Sequence, residues 1–178
     1  SAMDAVEEHL IDENAGIIRL LWPPFDHTTH DPGYIKGYVP GIRENGGQYT
    51  HAAMWVVRAF AKMGDRSRAM KFFEMVSPVT HARDRDAAGV YKVEPYVVAA
   101  DIYGAKPHLG RGGWTWYTGS AAWMYRTGIE SLLGLTIEDG RLLRIKPCIP
   151  DSWPGFRIKY RLPDRRTVYD IEVENPSG

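Results

Sequence analysis

The run Pro40-Gly41-Ile42-Arg43-Glu44-Asn45-Gly46-Gly47-Gln48-Tyr49-Thr50-His51 brings a guanidinium, a carboxylate, an amide and an imidazole to the start of an apolar helical stretch. Acid, amide and imidazole groups gathered at a helix start suit a sugar-phosphate site. Helix N-termini carry unpaired N–H groups and a positive dipole end, so they attract anions. A second polar turn, Trp116-Tyr117-Thr118-Gly119-Ser120, opens another helix. His51 has the chemistry to donate to a phosphate oxygen; the alternative is a polar cap that only satisfies backbone groups. Glu44 can accept two hydrogen bonds from sugar hydroxyls, with Arg43 offsetting its charge and Asn45 beside it. Gly46-Gly47 lets the backbone turn tightly and approach a ligand; the alternative is an ordinary turn with an exposed acid. Thr118-Gly119 offers a hydroxyl beside a bare N–H, which is an anion cradle or a common N-cap.

Other clusters carry less. His27-x-x-His30-Asp31 has metal-like spacing, but it sits in a loop-like segment without an obvious fourth ligand, so no metal is expected. Glu94 and Asp101 are a conceivable carboxylate pair, but nothing in their spacing fixes the separation that glycoside hydrolysis needs. Capping and loop hydrogen bonding are the simpler roles for both. His81 and the charged residues 83–86 read as a solvated loop.

The elements that must position these groups follow from period and punctuation. The 178 residues are 44% hydrophobic and 25% charged, a globular composition. Lys+Arg and Asp+Glu are both 22, which argues against a nucleic-acid partner. Six Trp and ten Tyr suit stacking on sugar rings as well as core packing. The single cysteine, Cys148, excludes an internal disulfide. No apolar run approaches the roughly 20 residues that span a bilayer.

A short helix is expected over 4–12 and an extended segment over Ile17–Leu21. Residues 23–50 form a long loop whose aromatics favour a site. The pattern predicts a helix from Thr50 to Met63, buried on most sides. Gly64 and Asp65 stop it and cap a second helix over 66–76, giving an antiparallel hairpin. Residues 79–93 read as a loop with a strand at Val90–Val93, and Glu94-Pro95-Tyr96 as the start of a short helix. A Gly-rich loop over 104–113 precedes a helix from about Gly119 to Leu133, capped by Gly134. After Leu135 the period changes to two, which predicts half-buried antiparallel strands. The fold class is mainly α with a C-terminal β part.

Four ordered blocks resemble glycoside hydrolase family 94, the cellobiose and chitobiose phosphorylase-like enzymes. They are Pro40-Gly41-x-x-Glu44-Asn45-Gly46-Gly47-x-x-x-His51, Glu94-Pro95-Tyr96-Val97, Trp116-x-Thr118-Gly119-Ser120-Ala121-Ala122-Trp123 and Pro147-Cys148-Ile149-Pro150-x-x-Trp153-x-Gly155-Phe156. The resemblance runs from about Ile17 to Pro176. The continuation Val97 to Gly104 looks most like the cyclic β-1,2-glucan synthase branch. The resemblance implies a partial (α/α)6 barrel over residues 1–135, comprising its last helices and site loops, and a C-terminal β segment over 136–178. It implies inverting phosphorolysis or transfer on a β-glucan oligosaccharide, with inorganic phosphate as co-substrate and no cofactor. By the same resemblance His51, Thr118 and Gly119 contact phosphate and Glu44 contacts sugar, with Arg43 and Asn45 grouped beside it.

Two departures stand out. Ala100 replaces a frequent Gln, and the family's general-acid Asp and a phosphate-binding Arg lie upstream of this region. The expectation is therefore a C-terminal fragment with no catalytic residue of its own. It would be inactive alone, and would associate with itself or with the remainder of its parent enzyme. Its location would be cytoplasmic, with inner-membrane association through that parent. A non-catalytic carbohydrate-binding or assembly subunit is the alternative of a different class.

Overall fold

The computed structural model describes residues 1–116, 119–164 and 166–176. Helix α1 (Ala2–Leu10) starts from a capping box in which Ser1 and Asp4 serve each other's backbone. It leads into the two-residue strands β1 (Ile11–Asp12) and β2 (Ile17–Ile18), which pair antiparallel. The long loop contains one 3-10 turn, Gly33–Gly37, and ends at β3 (Gln48–Tyr49).

Helix α2 (Thr50–Lys62) follows without a break. Its buried residues, Thr50, Ala53, Met54, Val57 and Phe60, recur at helical spacing. The opposite face is open, because Trp55 is 54% exposed. The helix is therefore one-sided rather than buried on most sides: the Trp55–Arg58–Lys62 stripe lines a groove. Asp65 accepts from the Arg68 N–H at 3.0 Å and caps α3 (Arg66–Met75). The α2–α3 hairpin closes on Phe60 against Phe72, centroids 5.2 Å apart. Burying each such ring contributes about 1.5–3 kcal/mol. Ile18, Met70, Val76, Met124, Leu132 and Cys148 complete this core.

Residues 78–91 differ from expectation. They form two short helices, α4 (Pro78–His81) and α5 (Arg85–Tyr91), in place of a loop and strand. Asp84 caps α5 through the Ala87 N–H at 2.8 Å, and Lys92 ends it in the left-handed region at φ 57°. Tyr91 then packs with Ile17, Ala99 and Ile102 in a second buried cluster. Glu94-Pro95-Tyr96 is a turn, not a helix start, closed by Val97 N–H to the Glu94 carbonyl at 3.1 Å. Beyond it, β4 (Asp101–Ile102) pairs antiparallel with β3, Tyr49 facing Asp101.

Helix α6 (Gly119–Arg126) continues as a π-helical turn, Thr127–Leu132. Gly134, at φ 74°, ends it and lies against the Lys146 carbonyl. Two separate antiparallel hairpins follow: β5 (Leu135–Glu138) with β6 (Leu142–Ile145), and β7 (Gly155–Arg161) with β8 (Val168–Glu174). Cys148 N–H donates to the Leu132 carbonyl at 2.8 Å, tying the β part to the helix end. Among the described residues no helix is long and apolar enough to cross a membrane.

Candidate functional site

The 41–47 loop coils on itself before it reaches α2. Gly41 N–H donates to the Asn45 carbonyl, Asn45 N–H to Ile42, and Gly47 N–H to Arg43. Arg43 itself sits in the left-handed region at φ 45°, a conformation that non-glycine residues adopt at a cost and that clusters at functional sites. Asn45 is 1% exposed. Its side-chain oxygen accepts from Phe25 N–H at 2.6 Å and its amide donates to the Tyr38 carbonyl at 2.7 Å. The structure thus uses Asn45 to hold the long loop in place. Gln48, fully buried, does the same for β2, accepting from Ile18 N–H at 2.9 Å and donating to the Thr50 hydroxyl at 3.1 Å.

Arg43, Glu44 and Asp101 form a charged corner beside this strand pair. Arg43 lies 5.7 Å from the Tyr38 ring centroid. Contact with the Tyr38 hydroxyl, and the carboxylates of Asp101 and Glu44, hold its guanidinium firmly charged. Asp101 is 2% exposed and accepts from Trp114 N–H at 2.9 Å. Burial pushes its carboxyl up; the Trp114 N–H and Arg43 oppose the rise and Glu44 adds to it. Gly113 makes the room: a Cβ there would lie 2.5 Å from an Asp101 oxygen. Glu94 is exposed at its turn, so Asp101 alone of that imagined pair reaches the corner. Glu44 Oε2 is buried without a hydrogen-bond partner among the described residues.

His51 occupies the first turn of α2. Its ring stacks on Trp123 with centroids 5.2 Å apart and planes 19° apart. Trp55 meets it edge-on at 4.9 Å. Its Nε2 is also buried with no partner among the described residues. Further along the same two helices Arg58 bonds Glu130 at 3.3 Å. Both helices advance by the same number of residues between these contacts, so α2 and the α6–π helix run parallel. Their N-termini lie at one end, where His51 and Gly119 stand. The positive dipole ends of two helices therefore favour an anion there. Thr118 falls outside the described residues.

Below this end lies a groove of about 690 Å3 lined by Trp55, Arg58, Lys62, Trp123, Glu130 and Arg144, among others. His51 apart, the stripes Trp55/Arg58 and Trp123/Arg126/Glu130 went unread as site features in the sequence. Their spacings match one helix face each, but only the parallel pairing of two distant helices makes them one feature. His27, His30 and Asp31 form no centre: among the described residues no three such side chains converge on a metal-sized space.

These features define a mainly helical scaffold in which two parallel helices bring an imidazole and two indoles together at one end of a groove. Residues 1–134 match the glycosyl hydrolase 94 superfamily, catalytic domain, and the chain belongs to that family. It is 52% identical over 176 residues to the cyclic beta-(1,2)-glucan synthase NdvB of Rhizobium meliloti (strain 1021), covering 99% of this chain and 6% of that protein. It is 34% identical over 178 residues to the N,N'-diacetylchitobiose phosphorylase of Vibrio proteolyticus, covering 98% of this chain and 21% of that protein. The solabiose phosphorylase of Paenibacillus borealis is 33% identical over 140 residues, covering 78% of this chain and 18% of that protein. The chain thus spans a small part of each of these relatives.

Proposed function

We infer that the chain forms the phosphate-side part of an inverting phosphorylase or transferase site acting on a β-linked glucan. The observation that carries this is His51: an imidazole clamped between two indoles, at the shared N-terminal end of two parallel helices, with a buried and unpartnered Nε2 among the described residues. An oxyanion is the ligand such a group and such a dipole arrangement favour together. Phosphate enters as co-substrate, with no cofactor. Gly119 and Thr118 would present an N–H and a hydroxyl to it. Glu44, with Arg43 beside it, would accept from sugar hydroxyls next to the cleaved bond, and the exposed Trp114 and Trp116 offer rings to the glucan.

In the reaction a phosphate oxygen bonds to the anomeric carbon as the glycosidic C–O bond breaks, and a general acid gives its proton to the leaving oxygen. By the family resemblance that acid would be an Asp upstream of these residues. The parallel run of α2 and α6 supports reading the helices as part of an (α/α)6 barrel, in which the apolar groove between Phe73 and Ile129 would be a face for further helices. The 52% identity to a cyclic glucan synthase supports a β-1,2-linked glucan.

Calorimetry tests the reading. The chain is expected to bind inorganic phosphate, His51→Ala to weaken that binding at least tenfold, about 1.4 kcal/mol, and the chain alone to release no glucose 1-phosphate from β-1,2-gluco-oligosaccharides. Turnover by the chain alone would contradict the reading that the general acid lies outside it. Sugar binding that ignores phosphate would favour a carbohydrate-binding or assembly subunit instead.

A further inference from the structure

Three aromatic rings from two helices meet at the His51 end of the groove. His51 lies almost parallel to Trp123. Trp55, one turn further along α2, meets the imidazole edge-on. Trp55 and Trp123 close the triangle at 5.7 Å with planes 76° apart. An imidazole stacked on one indole and perpendicular to a second cannot tilt out of its plane without losing a contact. Each aromatic contact of this kind contributes about 0.5–1.5 kcal/mol beyond its buried area. The plane of the imidazole is therefore set by its ring neighbours, and among the described residues its Nε2 has no hydrogen-bond partner.

Trp123 is itself held in place. The guanidinium of Arg58 lies 5.3 Å from its ring centroid and that of Arg126 5.6 Å. Both guanidiniums converge on one carboxylate: Arg58 reaches Glu130 at 3.3 Å, and Arg126 donates to both Glu130 oxygens at 2.7 and 3.2 Å. Glu130 accordingly stays ionised, its carboxyl held below the ordinary range by the two arginines against a rise from burial. The π-helical turn, which begins at Thr127 and places Glu130 in its middle, sets the backbone from which that carboxylate meets α2. An imidazole and two guanidinium groups leave Trp123 little free ring face for a pyranose.

We propose that Trp123 is the positioning residue for His51: its stacked indole fixes the plane in which the imidazole can offer Nε2 to an incoming oxyanion, and Glu130, through Arg58 and Arg126, fixes the indole. The claim about the imidazole's orientation stands on geometry, and the claim about the oxyanion rests on the phosphate reading given above.

The test uses the full 178-residue chain with inorganic phosphate as the probe. In one arm, NMR reads the His51 ring protons, which the stacked indole shifts upfield. The shift is expected in the wild type, retained in part in Trp123→Phe, and lost in Trp123→Leu. In the other arm, calorimetry reads phosphate affinity. Trp123→Phe is expected within about twofold of wild type and Trp123→Leu about tenfold weaker, the scale of one misaligned charge-assisted hydrogen bond. Glu130→Gln, which keeps all three rings but frees the two guanidiniums that hold Trp123, is expected to weaken phosphate a few-fold. His51 protons unmoved in Trp123→Leu, or wild-type phosphate affinity in that variant, would overturn the positioning role. A wild-type chain that ignores phosphate, with the ring shift still lost in Trp123→Leu, would overturn the phosphate reading and uphold the orientation claim.

Discussion

A carboxylate that is 2% exposed strains the fold unless its charge is matched, and Asp101 is only partly matched. Burial raises its carboxyl above the ordinary 3.8, and Trp114 N–H and Arg43 do not cancel the rise. Because the folded chain holds this proton more tightly than the unfolded chain does, stability falls as pH rises through the window above 3.8. Asp101→Asn keeps an oxygen for the Trp114 N–H and removes the charge. Its thermal midpoint is expected to gain on the wild type as pH rises through that window and then to level off; a wild type that gains on the variant would contradict this. Arg43 and Glu44 of this corner were legible in the sequence, since they stand in one run with Asn45 and His51, whereas Asp101 was not joined to them. Nor was the division of labour legible. Asn45 and Gln48 answer to Phe25, Tyr38 and Ile18, partners that no local pattern announces.

At the scale of elements, the α2–α3 hairpin was readable because a helical period, Gly64 and the Asp65 cap all agree. The strand expected at Val90–Val93 gave way to α5 because the Asp84 cap and the burial of Tyr91 outweigh β-branched propensity. Strand β4 is only two residues long, too short for any alternation to show. What holds it against the 41–47 loop is a close approach. Gly104 N–H donates to the Gly41 carbonyl at 2.8 Å, and a Cβ on Gly104 would press into the Gly46 carbonyl oxygen. Gly104→Ala is expected to lower stability by about 1–3 kcal/mol in urea denaturation, the usual cost of overpacking. Gly89, inside α5 with open space around its Cα, gives the control: Gly89→Ala is expected to gain about 0.5–1 kcal/mol. Equal effects at the two glycines would contradict the packing described.

For the whole molecule, the consequence of most weight is the parallel run of α2 and α6. It places His51 and Gly119 at one end of a groove whose walls are aromatic and cationic. Family membership over residues 1–134 fits that arrangement. The most direct measurement is a crystal structure of the chain soaked with arsenate, whose anomalous signal reports a phosphate-like ion without ambiguity. The account predicts arsenate at the joint N-terminal end of α2 and α6, with an oxygen about 3 Å from His51 Nε2. Arsenate bound elsewhere, with that imidazole nitrogen bonded to the protein itself, would contradict it.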